Sequence, residues 1–287
     1  MRNSIRTVAG MLGVLACTIA AKGLADTAKD SGAASPHTVT ANIGGVSNYS
    51  FRGITQTWDK PAIQGGIDYT HSAGWYGGLA LSSISDKQYA DGNVEVDLYG
   101  GYNGKIQGDW TWTLGVIGYL YPSANYDRVN PAGTNRSQTY NNVEGNVGVG
   151  YKWLSAKVSV ALTDYFGANA KTGYTKGSSG TTYVDVTAAV PLPEASFTKD
   201  VTLPLHIGHT YYTNDLAAAA PGGGKNPDYT DYKIGITKGF DGGWSVGAAY
   251  TYADNKAVYD RVPSAKNPAE NLNLGGGNAI LSINKTF

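Results

Sequence analysis

The chain has 287 residues and a formal net charge of zero, with 22 basic and 22 acidic side chains. Removal of the first 25 residues would leave 19 basic against 22 acidic residues, which excludes the basic profile of a nucleic-acid-binding protein. The single cysteine, Cys17, excludes a disulfide framework.

The first 25 residues have the pattern of a secretory signal peptide. Two arginines precede the apolar run Val8–Ala21, and the small residues 23–25 suit cleavage. The alternative is a lipoprotein cleavage site at Cys17. Residues 26–37 are small and polar, and they are predicted to form a flexible periplasmic leader.

Segments of alternating polar and apolar residues follow the leader. They lie at 38–52, 61–71, 75–84, 93–103, 110–121, 141–153, 155–166, 182–191, 201–212, 229–239, 244–253 and 278–287. Most have about ten residues, the length that a tilted strand needs to cross the apolar layer of a membrane. Long and short connections alternate, as long external loops and tight periplasmic turns do. We predict an all-β fold, a transmembrane up-and-down antiparallel β-barrel of twelve strands over residues 38–287.

Aromatic residues are sorted along the predicted strands. Five of the six tryptophans share the apolar parity and lie beside predicted periplasmic turns: Trp75, Trp110, Trp112, Trp153 and Trp244. Amphipathic rings prefer the headgroup layer, so these residues predict an aromatic girdle on the lipid face. A second band is predicted at the external end from Tyr49, Phe51, Phe166, Tyr211 and Tyr252. A soluble β-sandwich, the alternative fold, gives no reason for this sorting.

The opposite parity is predicted to line the lumen, with six acidic and four basic residues. The pore-lining candidates are Arg52, Asp68, Glu95, Asp97, Glu144, Lys152, Lys157, Asp185, Asp231 and Lys233. Arg52, near the external mouth, is expected to pair with Asp68 and to bias the passage of solutes. The alternative is a network of ion pairs that fills the lumen, because buried charges need partners.

The C-terminal segment alternates through Ala279, Leu281, Ile283 and Lys285 and ends at Phe287. A terminal aromatic residue on the last strand of an exported barrel is typical of an outer-membrane protein. Phe287 is therefore predicted to be the assembly signal, and the expected location is the bacterial outer membrane. The predicted partners are outer-membrane lipid and the barrel-assembly machinery, which would read the C-terminal strand.

One part of the sequence carries a family resemblance. Val46–Thr57 and Pro61–Tyr69 resemble the opening hairpin of the TorF family of porins, with its Tyr-x-Phe-Arg-Gly segment. Gly74–Gly78 is similar to the second hairpin of that family. The resemblance implies a proteobacterial outer-membrane barrel. Two positions depart from the pattern, since Asn48 stands where an aspartate is expected and Ser83-Ile84 where an Asn-containing pair is usual.

The predicted function is that of an outer-membrane porin for passive diffusion of small hydrophilic solutes or ions. The alternative is a closed structural or adhesive barrel that acts through its external loops. A barrel enzyme acting on lipids would use a lipid-facing histidine such as His209, with a serine from a neighbouring strand. We predict no catalytic residue, no cofactor and no metal site, because no metal-ligand spacing stands out.

Overall fold

The barrel wall is a ring of strands that alternate in direction. The computed structural model describes residues 35–129, 137–195, 197–220 and 223–287. Within these residues the wall strands are β1 His37–Val46, β2 Ala62–His71, β3 Trp75–Ser83, β4 Val94–Lys105, β5 Trp110–Leu120, β6 Asn142–Tyr151, β7 Leu154–Ala161, β8 Thr182–Pro191, β9 Val201–Tyr211, β10 Tyr229–Phe240, β11 Trp244–Ala253 and β12 Asn278–Thr286. Each pairs antiparallel with its sequence neighbours, and β12 closes on β1. The predicted all-β, twelve-stranded barrel is confirmed.

Outward-facing side chains of the wall are apolar. Ile63, Leu114 and Leu281 are 68%, 58% and 65% exposed on the isolated chain. Such a surface is unfavourable in water but matches hydrocarbon, where a closed barrel also satisfies every backbone hydrogen bond. The protein is therefore a barrel of the bacterial outer membrane, with lipid around its outer face.

The tryptophans lie on the outer surface near the short turns. Trp75, Trp110 and Trp244 each begin a strand, and Trp153 lies in the turn between β6 and β7. The five rings, including Trp112, are 36–61% exposed. They lie at one level of the lipid face, where the indole can reach both hydrocarbon and headgroups.

Two predicted strands end earlier than their sequence pattern suggests. β1 ends at Val46 rather than at residue 52, and β7 ends at Ala161 rather than at 166. The chain leaves the wall at both points and its aromatic residues enter the lumen. Tyr49 is 5% exposed, and Phe51 and Phe166 pack against the same interior cluster. The prediction that these three aromatic residues belong to an external lipid-facing band is therefore wrong.

The connections alternate between short and long around the ring. Short turns connect the strands at 72–74, 106–109, 152–153, 192–200 (described except for residue 196) and 241–243, on the side where β1 begins and β12 ends. Longer connections span 47–61, 84–93, 121–141, 162–181, 212–228 and 254–277, and their described parts, which leave out residues 130–136 and 221–222, lie on the other side. Among the described residues, no helix has the length and hydropathy to cross a membrane. The predicted signal peptide, and the predicted leader up to residue 34, lie outside the described residues.

Candidate functional site

A segment between β1 and β2 enters the lumen instead of forming an external loop. Ser50–Phe51 pairs antiparallel with Ile54–Thr55. The two residues that join them, Arg52 and Gly53, have φ angles of 47° and 75°. Both values are positive, as a two-residue type I′ loop requires. We call residues 47–60 the inner hairpin.

Asn48 organises the base of the inner hairpin. Its side-chain oxygen accepts hydrogen bonds from the hydroxyls of Thr55 and Thr57 at 2.7 and 3.1 Å. Its side-chain NH₂ group donates to Asp59 at 2.8 Å. An aspartate at this buried position would face Asp59 with a second negative charge, which is unfavourable. Asparagine, the residue that departs from the TorF pattern, therefore suits this hairpin.

Gly53 seats the tip of the inner hairpin against the wall. A Cβ atom at this position would lie 2.7 Å from the Cβ of Asp231 and 2.9 Å from the Cβ of Ala253. Both distances are shorter than van der Waals contact. The tip can therefore approach β10 and β11 this closely only because residue 53 has no side chain.

Arg52 projects from the tip into a buried site. Its guanidinium donates to the two carboxylate oxygens of Glu144 on β6 at 2.9 and 2.7 Å, and to the hydroxyl of Tyr165 at 2.9 Å. The side chains of Arg52 and Glu144 are 7% and 1% exposed. The predicted pairing of Arg52 with Asp68 is wrong, because the tip reaches across to β6. Asp68 instead accepts a hydrogen bond from Tyr99.

The ring of Tyr183 covers the guanidinium. Arg52 Cζ lies 4.0 Å from the ring centre, which is a cation–π distance. The Tyr183 hydroxyl donates to Asp231 at 2.9 Å, and His206 Nε2 lies 3.0 Å from the other oxygen of Asp231. A Cβ on Gly208 would lie 2.0 Å from the Tyr183 hydroxyl oxygen, so this glycine makes room for the ring. Arg52 is thus held by β6 directly and by β8 and β10 through Tyr183.

Two acidic residues of β4 form another buried group. Glu95 accepts hydrogen bonds from the hydroxyls of Tyr49 and Tyr121 at 2.5 and 2.6 Å. Asp97 follows on the same face of the strand and is 1% exposed. Neither carboxylate oxygen of Asp97 has a hydrogen-bond partner within the residues that the structure describes. Since Tyr49 belongs to the inner hairpin, Glu95 is a further wall contact of that hairpin.

The lumen has two halves of different character. In the external half the inward-facing acids are buried, and the packed aromatic residues are Tyr49, Phe51, Tyr89, Tyr119, Tyr121, Tyr140 and Phe166. In the periplasmic half some inward-facing polar side chains are partly exposed, among them Asn42, Asp68, Tyr76, Asn146 and Lys233, whereas Thr113, Ser245 and Asn284 are buried. The inner hairpin and the tyrosines around it fill the external half, whereas polar side chains line the periplasmic half.

The remaining predicted pore-lining residues divide between the lumen and a turn. Lys157 and Asp185 face each other inside the barrel, with 3.9 Å between nitrogen and oxygen, and Lys233 points inward from β10. Lys152 does not line the pore, so that prediction is wrong. It occupies the two-residue turn after β6 and pairs on the surface with Asp109 at 3.7 Å. Strand alternation does not continue through a turn, which explains the error.

Three tyrosines that bind the buried charges are missing from the sequence prediction. Tyr183 shares the lumen parity of Asp185 on β8, and that parity is the signal that could have identified it. Tyr121 and Tyr165 lie outside the wall strands, where alternation carries no information. Their roles depend on partners that are far away in the sequence.

The lipid-facing histidine of the enzyme hypothesis lies where it was expected. His209 is on the outer face of β9, and its Nδ1 lies 2.9 Å from the hydroxyl of Thr230. The neighbouring strand thus supplies a threonine at the position where that hypothesis needs a serine. Within the described residues, no group of three or more His, Cys, Asp or Glu side chains could hold a metal ion.

External loops hold the inner hairpin from above. The backbone N–H of Thr55 donates to the carbonyl of Leu274 at 3.0 Å, and the N–H of Ser85 donates to the carbonyl of Gln56 at 3.0 Å. The loop before β12 and the loop before β4 therefore both contact the hairpin. Ion pairs Lys87–Glu270 and Lys266–Asp86 join the same two loops to each other.

The ion pairs between these two loops, which we call the loop clamp, should weaken in acid. The hydrogen bond from Lys87 holds the pKa of Glu270 below its ordinary value. Because the pKa of Glu270 is lower in the folded protein than in the unfolded chain, the ionised carboxylate stabilises the loop clamp at pH values above its unfolded-state pKa. This stabilisation is lost as the pH falls through the folded-state pKa. We expect hydrogen-exchange protection of the Ala265 amide, which donates to the Lys87 carbonyl, to fall in that range after correction for intrinsic exchange.

Glu270→Gln should remove this acid step from the exchange profile, whereas Glu194→Gln, in the periplasmic turn, should leave it intact. An acid step of equal size in the Glu270→Gln protein would contradict the assignment.

Comparisons with known proteins give one family match and several similar solved structures. A family model described as "Bacterial protein of unknown function (Gcw_chp)" matches residues 30–287. The solved structure of the NanC porin is 12% identical with a TM-score of 0.49, over 87% of this chain and 99% of that one. A KdgM porin structure is 9% identical with a TM-score of 0.46, over 86% of this chain and 99% of that one. The structure of an outer membrane channel from Pseudomonas putida F1 is 13% identical with a TM-score of 0.45, over 89% of this chain and 97% of that one. A search of curated proteins found no match. At these identities the likeness extends no further than the fold.

Proposed function

Because the chain belongs to the Gcw_chp family of bacterial proteins of unknown function and forms an outer-membrane barrel, we propose that it is a gated channel for small hydrophilic solutes. The inner hairpin is the gate, and Arg52 is its latch. The kinship with TorF porins that the opening hairpin indicates is part of the same proposal.

The observation that carries this proposal is that the inner hairpin takes no part in the strand pairing of the wall. Residues 48–60 contribute no rung to the pairing of β1 with β2 or with β12. The hairpin can therefore leave the lumen without breaking the ring of strands. Its departure would connect the polar-lined periplasmic half of the lumen to the external mouth. The bidentate contact of Arg52 with Glu144 opposes this movement.

The test is single-channel recording of the refolded protein in planar bilayers. The wild type should conduct in rare openings, because opening breaks a buried ion pair at a cost of about 3–5 kcal/mol. Arg52→Ala removes this contact and should raise the open probability by about tenfold or more, since about 1.4 kcal/mol already changes an equilibrium tenfold. Arg261→Ala is the matched control, because this arginine is largely exposed in an external loop. It should behave as the wild type does.

A second candidate function is a closed barrel that works through its external loops. The buried tyrosines around the inner hairpin and the ion pairs between the loops favour it. If both the wild type and Arg52→Ala insert as folded barrels and neither conducts, the channel proposal fails and the closed barrel stands.

A further inference from the structure

We infer that Asp97, with Glu95 beside it, binds a monovalent metal cation in the path that the inner hairpin covers. The inference rests on the proposed channel and names the class of solute that this path favours. Its basis is a buried carboxylate whose two oxygens have no hydrogen-bond partner within the described residues.

The two acids lie close together on one face of β4. Residues two apart on a strand project to the same side at a spacing of about 6.6 Å. Asp97 is opposite Tyr119 on β5, and Glu95 is opposite Ser82 on β3. Both acids are at most 2% exposed. Among the described residues, neither forms a salt bridge with a lysine or arginine.

Burial of two adjacent carboxylates is costly unless a positive charge or a proton accompanies them. Arg52 does not serve this purpose, because its guanidinium is engaged with Glu144. Glu95 receives a tyrosine hydroxyl on each oxygen, which satisfies it in part. Asp97 receives no hydrogen bond, so a cation is stabilised most when it binds to this carboxylate.

The number of free oxygens selects the kind of cation. Carboxylate oxygens suit hard cations, and Ca²⁺ takes six to eight oxygen ligands. Asp97 offers two free oxygens, which is too few to hold Ca²⁺ firmly. A monovalent ion that keeps part of its water can bind here and leave again, as conduction requires.

The site is coupled to the inner hairpin through Tyr49. The hydroxyl of this residue occupies one oxygen of Glu95 while the hairpin is in the lumen. When the hairpin leaves, that oxygen becomes available, and a passing cation meets two carboxylates instead of one. Cation preference should therefore be a property of the open channel.

The first measurement needs no current. The melting temperature of the refolded wild type in detergent is compared in KCl and in N-methyl-D-glucamine chloride at equal ionic strength. Binding of K⁺ should raise the melting temperature by about 3–6 °C, the shift for a ligand at roughly ten times its Kd. Asp97→Asn should lose this difference. Equal melting temperatures of the wild type in the two salts would overturn the inference and leave Asp97 as a neutral acid.

The second measurement is the reversal potential across a KCl gradient. The preference for K⁺ over Cl⁻ should fall by about tenfold in Asp97→Asn, as expected for loss of a close charge interaction. Asp109→Asn removes the same charge from an exposed turn and should keep the preference. An unchanged reversal potential in Asp97→Asn would overturn the cation site. If no protein conducts but K⁺ still stabilises the wild type, the channel proposal fails and the site remains.

Discussion

Glu144→Gln is expected to lower the free energy of unfolding by about 3–5 kcal/mol, the usual consequence of removing one partner of a buried ion pair. The substitution leaves the guanidinium of Arg52 in the lumen without its carboxylate, although both side chains are almost fully buried. The measurement is a urea titration of the barrel refolded in lipid vesicles, followed by the fluorescence of the lipid-facing tryptophans.

The chain offers a matched control for this experiment. Lys152 and Asp109 form a second ion pair, at 3.7 Å, with both side chains more than half exposed. Asp109→Asn removes one charge from that pair and should change the free energy of unfolding by less than about 1 kcal/mol. Equal effects of Glu144→Gln and Asp109→Asn would show that burial does not strengthen the latch.

Replacement of both partners separates the cost of an unpaired buried charge from the loss of the contact that holds the hairpin on β6. When Arg52→Met and Glu144→Leu are combined, no buried charge is left unpaired, and stability should return close to that of the wild type. The open probability should nevertheless stay high, because the directed contact between hairpin and β6 is gone. Stability and gating would then be distinct properties of the same pair.

Gly53→Ala is expected to displace the inner hairpin. Alanine at a positive φ costs roughly 1–2 kcal/mol. The new Cβ would also collide with Asp231 and Ala253, and overpacking of this kind costs about 1–3 kcal/mol more. The free energy of unfolding should fall by the sum of these two effects, and the channel should open more often.

Gly108→Ala isolates the contribution of the collision. Gly108 has a φ angle of 59°, and a Cβ there would have no heavy atom within 4 Å. Gly108→Ala should therefore lower the free energy of unfolding only by the cost of placing alanine at a positive φ. If the two alanine variants lose the same stability, the tip of the hairpin does not depend on close contact with the wall.

Movement of the hairpin can be measured directly by thiol labelling. Cys17 lies in the predicted signal peptide, so an introduced cysteine would be the single thiol of a refolded barrel that starts at residue 26. Ile54 is 8% exposed, and Ile54→Cys should react slowly with a polar maleimide in the wild-type background. Adding Gly53→Ala should accelerate the reaction. Slow labelling in both backgrounds would mean that the hairpin stays in place.

The wall could be predicted from the sequence because lipid imposes one rule on every strand. Side chains alternate between hydrocarbon and lumen, so most strand bounds follow from parity to within two residues. The same rule fails inside the barrel. Tyr49 and Phe51 continue the parity of β1 into the inner hairpin, since an aromatic residue is buried equally well against lipid or in a filled lumen.

The latch could not be predicted, because parity identifies which residues face inward but not which ones meet. Arg52 and Glu144 lie 92 positions apart, one in the loop of the inner hairpin and the other on β6. Only the depth to which the hairpin enters the barrel brings them together. One local signal existed, namely the glycine directly after Arg52, which fits a tight two-residue loop better than a strand passing into a long connection.

The closing seam of the ring has a consequence for how the barrel forms. β1 meets β12 through five rungs, against ten between β1 and β2, and the seam joins residues about 240 positions apart in the chain. Bringing such distant segments together carries the largest loop-closure entropy of any strand pair in the wall. The final strand is also the last to be synthesised and exported. Until β12 is in place, β1 presents an unpaired edge, so closure of the ring depends on the wall strand that is synthesised last.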